Sequence, residues 1–223
     1  MKVKLFFSAV CKFALGLLLV GLLLFIPAGT ILWPGGIRFM LILFAPMFIA
    51  GIVMLVKSPQ LLQSRLEAKE KRGEQSAVIK LSGLMFILGF VLAGLDFRFG
   101  WLVLSDWVSW FGTAVFLISY ALYAEVLREN VWLSRTIQVQ ENQRVVDTGL
   151  YAVVRHPMYA VTVILFLSIP LVLGSLISLA VFLAYPFIIA KRIRDEEQLL
   201  EAELAGYAEY KQKVKYRLIP FIW

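Results

Sequence analysis

The chain is 223 residues long, 61% hydrophobic and 17% charged, with a formal net charge of +7. Soluble domains are about 45–50% apolar and about 25% charged, so the composition excludes an ordinary soluble protein. The apolar residues also cluster in blocks too long for buried core helices, which makes this a polytopic, all-α membrane protein of one domain. A single cysteine, Cys11, excludes a disulfide framework within the chain and any cysteine metal cluster.

The first predicted span runs from Leu5 to Ile26 behind Lys2 and Lys4. It is longer than a signal-peptide core and no small-x-small site follows it, so it reads as uncleaved. Cys11 lies inside it as a small hydrophobe. Pro27-Ala28-Gly29 and Trp33-Pro34-Gly35-Gly36 form an uncharged turn with an interfacial Trp. A second span follows from Ile37 to Val56. Ser58-Pro59 then opens a surface helix over Gln60 to Gln75. It reads either as a helix lying on lipid headgroups or as a solvated linker.

The third span is Val78 to Leu95 and the fourth is Trp107 to Leu127, joined by an aromatic-rich turn around Asp96 to Asp106. Gly112, Ser119 and Ala121 lie among the large residues of the fourth, as expected of a helix packed on others. These four spans make a membrane body over 1–127. Residues 128–223 hold a polar segment, a helical hairpin from Pro157 to Ala190 with Pro170 and Pro186 inside it, and a charged tail predicted to be helical. Segments 1–12, 57–80, 128–155 and the tail carry 20 of the 22 lysines and arginines, leaving Arg38 and Arg98 opposite. The positive-inside rule therefore places both termini and both long loops in the cytoplasm, and six spans fit that parity. The basic excess is thereby accounted for without nucleic acid.

The same topology brings Arg128, Tyr151, Arg155, His156, Tyr159 and the 191–210 segment to one membrane face. His156 stands before Pro157 at a helix start, so it reads as a cap or as a hydrogen-bonding partner for a bound cofactor. No second ligand stands near it at zinc-site spacing, so metal binding is not expected. Arg155 reads as a phosphate anchor or a ligand contact. Tyr151 and Tyr159 read as interfacial aromatics, or as rings for a cation at roughly 0.5–2 kcal/mol. Arg192 and Glu196 are four apart, an ordinary helix-surface pair. Glu196 and Glu197 nevertheless leave the membrane together, about 100° apart on the helix, so one can face the bundle while the other takes solvent. Tyr207, Tyr210 and Val214 read as packing beneath the bundle or as a flap over the site.

In order, the chain reads Gly149-Leu150-Tyr151, Arg155-His156-Pro157-Met158-Tyr159, an apolar hairpin, Arg194-Asp195-Glu196-Glu197, Tyr207 to Tyr210, and Ile219-Pro220-Phe221. This series resembles the isoprenylcysteine carboxyl methyltransferase family with its bacterial and archaeal relatives, over roughly the last third of the chain. Phospholipid N-methyltransferases share a looser version, and membrane sterol reductases share Arg-His-Pro-x-Tyr. The resemblance implies an integral-membrane enzyme using S-adenosyl-L-methionine, set in a bacterial or archaeal plasma membrane. It implies cofactor contacts from Tyr151, Arg155, His156, Tyr159 and the Glu196 and Glu197 pair, one or other of which faces the cofactor. It also implies catalytic roles for Arg128, at the substrate, and Glu196. The favoured acceptor is the carboxylate of an isoprenylcysteine-like, lipid-linked compound. Val161 stands where the family usually has Gly, a bulkier residue on the cofactor or substrate path. The rival readings are an NADPH-dependent membrane reductase and a non-catalytic membrane protein retaining the pocket.

Methyl transfer is an in-line displacement that chiefly needs alignment and exclusion of water. A carboxylate acceptor needs an arginine to position it. An amine would need a proton acceptor such as Glu129 or Glu196.

Overall fold

A computed structural model describes residues 2–59, 62, 63, 66, 73–133 and 139–223. The surface helix predicted over 60–75 falls mostly outside the described residues. Eight helices are described: α1 (Lys2–Ala28), α2 (Pro34–Lys57), α3 (Gly73–Phe99), α4 (Asp106–Glu129), α5 (Pro157–Leu173), α6 (Leu176–Phe182), α7 (Tyr185–Glu203) and α8 (Tyr207–Lys213). A short 3-10 turn over Gly149–Ala152 precedes α5. Five segments are long and apolar enough to cross a membrane: α1 to α4, and the combined α6–α7 rod over Leu176–Glu203. α5 is apolar but only 17 residues long, about 25 Å at 1.5 Å per residue. That is the short limit for a span, so the expected fifth span is present in abbreviated form.

Proline accounts for two of the irregularities. Pro170 lies inside α5, and the helix ends three residues later at Leu173, where Gly174 with a φ of 73° closes a left-handed cap. Pro186 has no N–H to offer the Phe182 carbonyl four residues back, and the chain breaks between α6 and α7 at Leu183-Ala184. The sixth predicted span is therefore two helices end to end.

The core is aromatic and lies where α2, α3, α4, α5 and α6 converge. Phe39, Phe116 and Phe182 are fully enclosed there, with Phe86, Phe90 and Phe166 packed edge to face around them. α4 packs along α5 at very short range. A Cβ on Gly112 would sit 2.6 Å from the Leu171 side chain and 2.8 Å from the Val172 backbone. Only a residue without a side chain permits that approach.

The end of the bundle opposite the long basic loops is closed by polar ties. Asp96 is fully buried and accepts from the Leu102 N–H at 2.7 Å and the Ser175 hydroxyl at 2.5 Å. Arg38 donates to Ser109 at 2.6 Å and covers the Trp110 ring at 3.9 Å. A buried carboxylate without such partners would be costly. These contacts fix the rim opposite the candidate site.

The tail differs from the all-helical expectation. α7 carries on beyond the apolar hairpin to Glu203, and Gly206 (φ 84°) turns the chain into α8. Residues 214–223 then return without regular helix, so that the backbone at 214–217 lies against the start of α5.

Candidate functional site

Two hydrogen bonds dock the Arg155-His156-Pro157 segment onto that returning tail. The Arg155 N–H donates to Tyr216 O and the His156 N–H to Arg217 O, both at 2.9 Å. Pro157 then begins α5 at a position that needs no donor.

The Arg155 side chain reaches under α7. Its Nε donates to Glu197 Oε1 at 2.7 Å, and its Nη1 donates to Val214 O at 2.7 Å and Lys215 O at 2.8 Å. Arg217 holds the other oxygen of Glu197 at 2.8 Å, and His156 Nε2 lies 3.2 Å from Oε1. Arg155, His156 and Glu197 are buried. A carboxylate there is tolerable because two guanidinium groups and an imidazole surround it. Glu197 is thus the support of the site, binding α5, α7 and the tail into one block.

Glu196, its neighbour on α7, turns the other way and lines an open cleft. The Tyr159 hydroxyl donates to Glu196, and Arg192 Nε donates to the Tyr159 oxygen at 2.9 Å. The Tyr159 ring stacks on His156 with centroids 5.7 Å apart. These residues give the cleft a charged, hydrogen-bonding wall. Apolar lining comes from Leu199, Leu200 and Leu204, with Val145 and Val146 of the loop before α5. Tyr151, Tyr207 and Tyr210 complete it. The cleft is open to solvent at its mouth.

Burial pushes the hydroxyls of Tyr151, Tyr207 and Tyr210 well above the ordinary tyrosine range, so all three stay protonated at neutral pH. Tyr210 donates to Tyr151 O at 2.7 Å, which ties α8 to the 3-10 turn. The same turn is held from α4. The Leu150 N–H donates to the Glu129 carboxylate at 2.9 and 3.2 Å. Gly149 (φ 55°) passes so close that any side chain there would collide with that carboxylate. On the surface, Lys213 lies 2.8 Å from Asp147 and Lys211 pairs with Glu201. The Lys213 ammonium holds the Asp147 carboxyl below its usual range.

Of the residues expected from sequence, Tyr151, Arg155, His156, Tyr159 and Glu196 line one cleft. Glu197 stands behind them. Arg128 is not brought there. Its guanidinium is 74% exposed and grips Glu125, with Nε at 2.7 Å and Nη2 at 2.5 Å. Val161 packs with Val126 and Tyr151 beside the cleft and is not among its lining residues.

Two residues of the site, Arg192 and Arg217, carry no such expectation from the sequence. The first was legible in principle, since it sits one helical turn before Glu196. The tail carbonyls that hold Arg155 leave no side-chain signature at all. Among the described residues, no group of three or more His, Cys, Asp or Glu is placed to hold a metal ion.

Residues 110–202 match the sequence model of the Isoprenylcysteine carboxyl methyltransferase (ICMT) family. Comparison with curated proteins gives no match. Among solved structures, the chain is similar to the eukaryotic intramembrane Ras methyltransferase ICMT. The TM-score is 0.60 at 20% sequence identity, covering 99% of this chain and 83% of that one. The family resemblance drawn from the motifs is borne out, and the fold is that of a polytopic helical membrane protein.

Proposed function

We propose that this membrane protein, with the family's segment at its centre, is an S-adenosylmethionine-dependent methyltransferase. Its acceptor is a lipophilic or lipid-linked compound, with an isoprenylcysteine-like carboxylate favoured. One observation carries the reading: Arg155, His156, Met158 and Tyr159 meet Glu196, about 40 residues on, in one cleft at the basic end of a hydrophobic bundle, with Glu197 behind it holding Arg155. The basic loops put that end in the cytoplasm, together with both termini. A water-soluble donor enters there, while a lipid-like acceptor arrives from the bilayer.

The donor set suits the cofactor. S-adenosylmethionine has a flat aromatic base, sugar hydroxyls and an amino-acid end, and it supplies an electrophilic methyl group on a sulfonium. The apolar wall of Leu199, Leu200 and Leu204 offers a face for the base. Glu196 accepts from hydroxyl or ammonium groups, and the Tyr151 and Tyr159 rings tolerate a sulfonium through cation–π attraction. Arg155 and His156, fixed by Glu197, hold their places without rearrangement, which is the economy that pre-organisation provides. Arg192, at the polar wall, is the cation best placed to orient an anionic acceptor. Arg128 enters that role only by releasing Glu125.

Calorimetric titration of the detergent-purified protein tests the reading. S-adenosylhomocysteine should bind and NADPH should not. Glu197→Gln should weaken S-adenosylhomocysteine by about tenfold, because it loosens two buried charge-assisted hydrogen bonds. Binding of NADPH without S-adenosylhomocysteine would point to the reductase reading instead.

A further inference from the structure

Tyr207 is buried to 4% exposure at the start of α8, and its ring has a clear packing role. It lies against Tyr210, Leu204, Val214, Val145 and Leu200. Its hydroxyl has no such explanation. Among the described residues it is the buried side-chain polar atom that finds no hydrogen-bond partner. Phenylalanine would serve the packing equally well, and buried tyrosine hydroxyls normally find a partner. Leaving a buried polar group unpaired costs about 1–3 kcal/mol. The orphan hydroxyl belongs to a residue lining the cleft, as does Arg155. Arg155 spends Nε and Nη1 on protein acceptors, and no bond among the described residues uses its Nη2.

We propose that Tyr207 is a ligand-binding residue whose hydroxyl donates to the carboxylate at the amino-acid end of the methyl donor, beside Arg155. This rests on the methyltransferase reading and adds to it the residue that recognises the donor's anionic end. The direction of the bond follows from chemistry. The phenol is held neutral by burial and by the nearby Glu197 charge, so it is a hydrogen-bond donor and needs an acceptor. Arg155 is its cationic neighbour in the same electrostatic environment. A neutral O–H beside a guanidinium suits a carboxylate and repels the ammonium group of the same amino-acid end. The ammonium is left to Glu196, the carboxylate that lines the same cleft.

The test compares Tyr207→Phe with the unmodified protein by titration against S-adenosylhomocysteine and against its decarboxylated counterpart, with thermal unfolding followed in parallel. Tyr207→Phe should weaken S-adenosylhomocysteine by about tenfold, the usual effect of one hydrogen bond to a charged group. It should leave affinity for the decarboxylated compound unchanged. The unliganded variant should melt at or slightly above the unmodified protein, because it loses a buried hydroxyl that makes no hydrogen bond in the fold. A lower melting temperature would make Tyr207 a structural residue and overturn the proposal. So would unchanged affinity for both ligands, the result expected if only water meets the hydroxyl. Equal weakening of both would place the contact elsewhere on the donor and overturn the carboxylate assignment. Failure of the unmodified protein to bind either ligand would instead remove the methyltransferase reading on which the proposal stands.

Discussion

At the scale of single residues, the site separates two neighbours that the sequence presents as equals. Glu196 faces the cleft and Glu197 faces the interior, as a 100° step on a helix allows. The arginines separate in the same way. Arg192 is buried and bonded to Tyr159, whereas Arg128 is exposed and bonded to Glu125. Lysine keeps the charge of either but loses the planar fork of donors. Arg192→Lys should therefore lower methyl transfer by about tenfold or more, since a bond to a polar group in the cleft is lost. Arg128→Lys should change transfer by less than about twofold, as expected of a surface ion pair. The measurement is incorporation of radiolabel from S-adenosylmethionine into membrane extracts. Parity between the two variants, or a larger effect at 128, would restore Arg128 as the residue that orients the acceptor.

At the scale of elements, the 3-10 turn over Gly149–Ala152 is the joint between the membrane body and the site. It is pinned by Glu129 from α4 and by Tyr210 from α8, and it presents Tyr151 to the cleft. Gly149→Ala meets two penalties there, a left-handed backbone and a collision with the Glu129 carboxylate. The backbone strain alone costs on the order of 1–3 kcal/mol. The variant should lose thermal stability and bind S-adenosylhomocysteine more weakly. Pairing it with Glu129→Ala should recover part of the binding, since the collision is then relieved while the strained φ remains. No recovery in the double variant would mean that Glu129 is needed in its own right to hold the turn.

At the scale of the whole molecule, the positive-inside asymmetry is the ground for the proposed orientation, with both termini and the cleft on the cytoplasmic side. Single cysteines at Ser105 and Glu141, in a Cys11→Ser background, check this with an impermeant thiol reagent on intact cells. Ser105→Cys should react and Glu141→Cys should not; the reverse pattern would invert the orientation. Much of this architecture was legible because hydrophobic blocks and basic loops report on a bilayer directly. The four N-terminal spans appear within a few residues of their expected bounds, and five of the six cofactor residues drawn from the motif share one cleft. The rest was hidden for identifiable reasons. Pro186 lies inside an apolar run, and hydropathy does not register the break it makes. The tail was expected to be helical throughout, yet its last ten residues act through backbone carbonyls, which no side chain announces. The direction of Arg128 depends on Glu125, a local pairing that a motif does not encode.

The returning tail also bears on how the protein is made. Arg155 and His156 find their acceptors at Val214, Lys215, Tyr216 and Arg217, and the carboxylate that anchors them is answered by Arg217. During synthesis the Arg155 segment leaves the ribosome some sixty residues before those partners exist. Until then a guanidinium and an imidazole sit at the bilayer edge with their final neighbours missing. Membrane insertion of the helices is therefore separable from maturation of the cleft, and a chain halted after α7 would be inserted with the cleft incomplete.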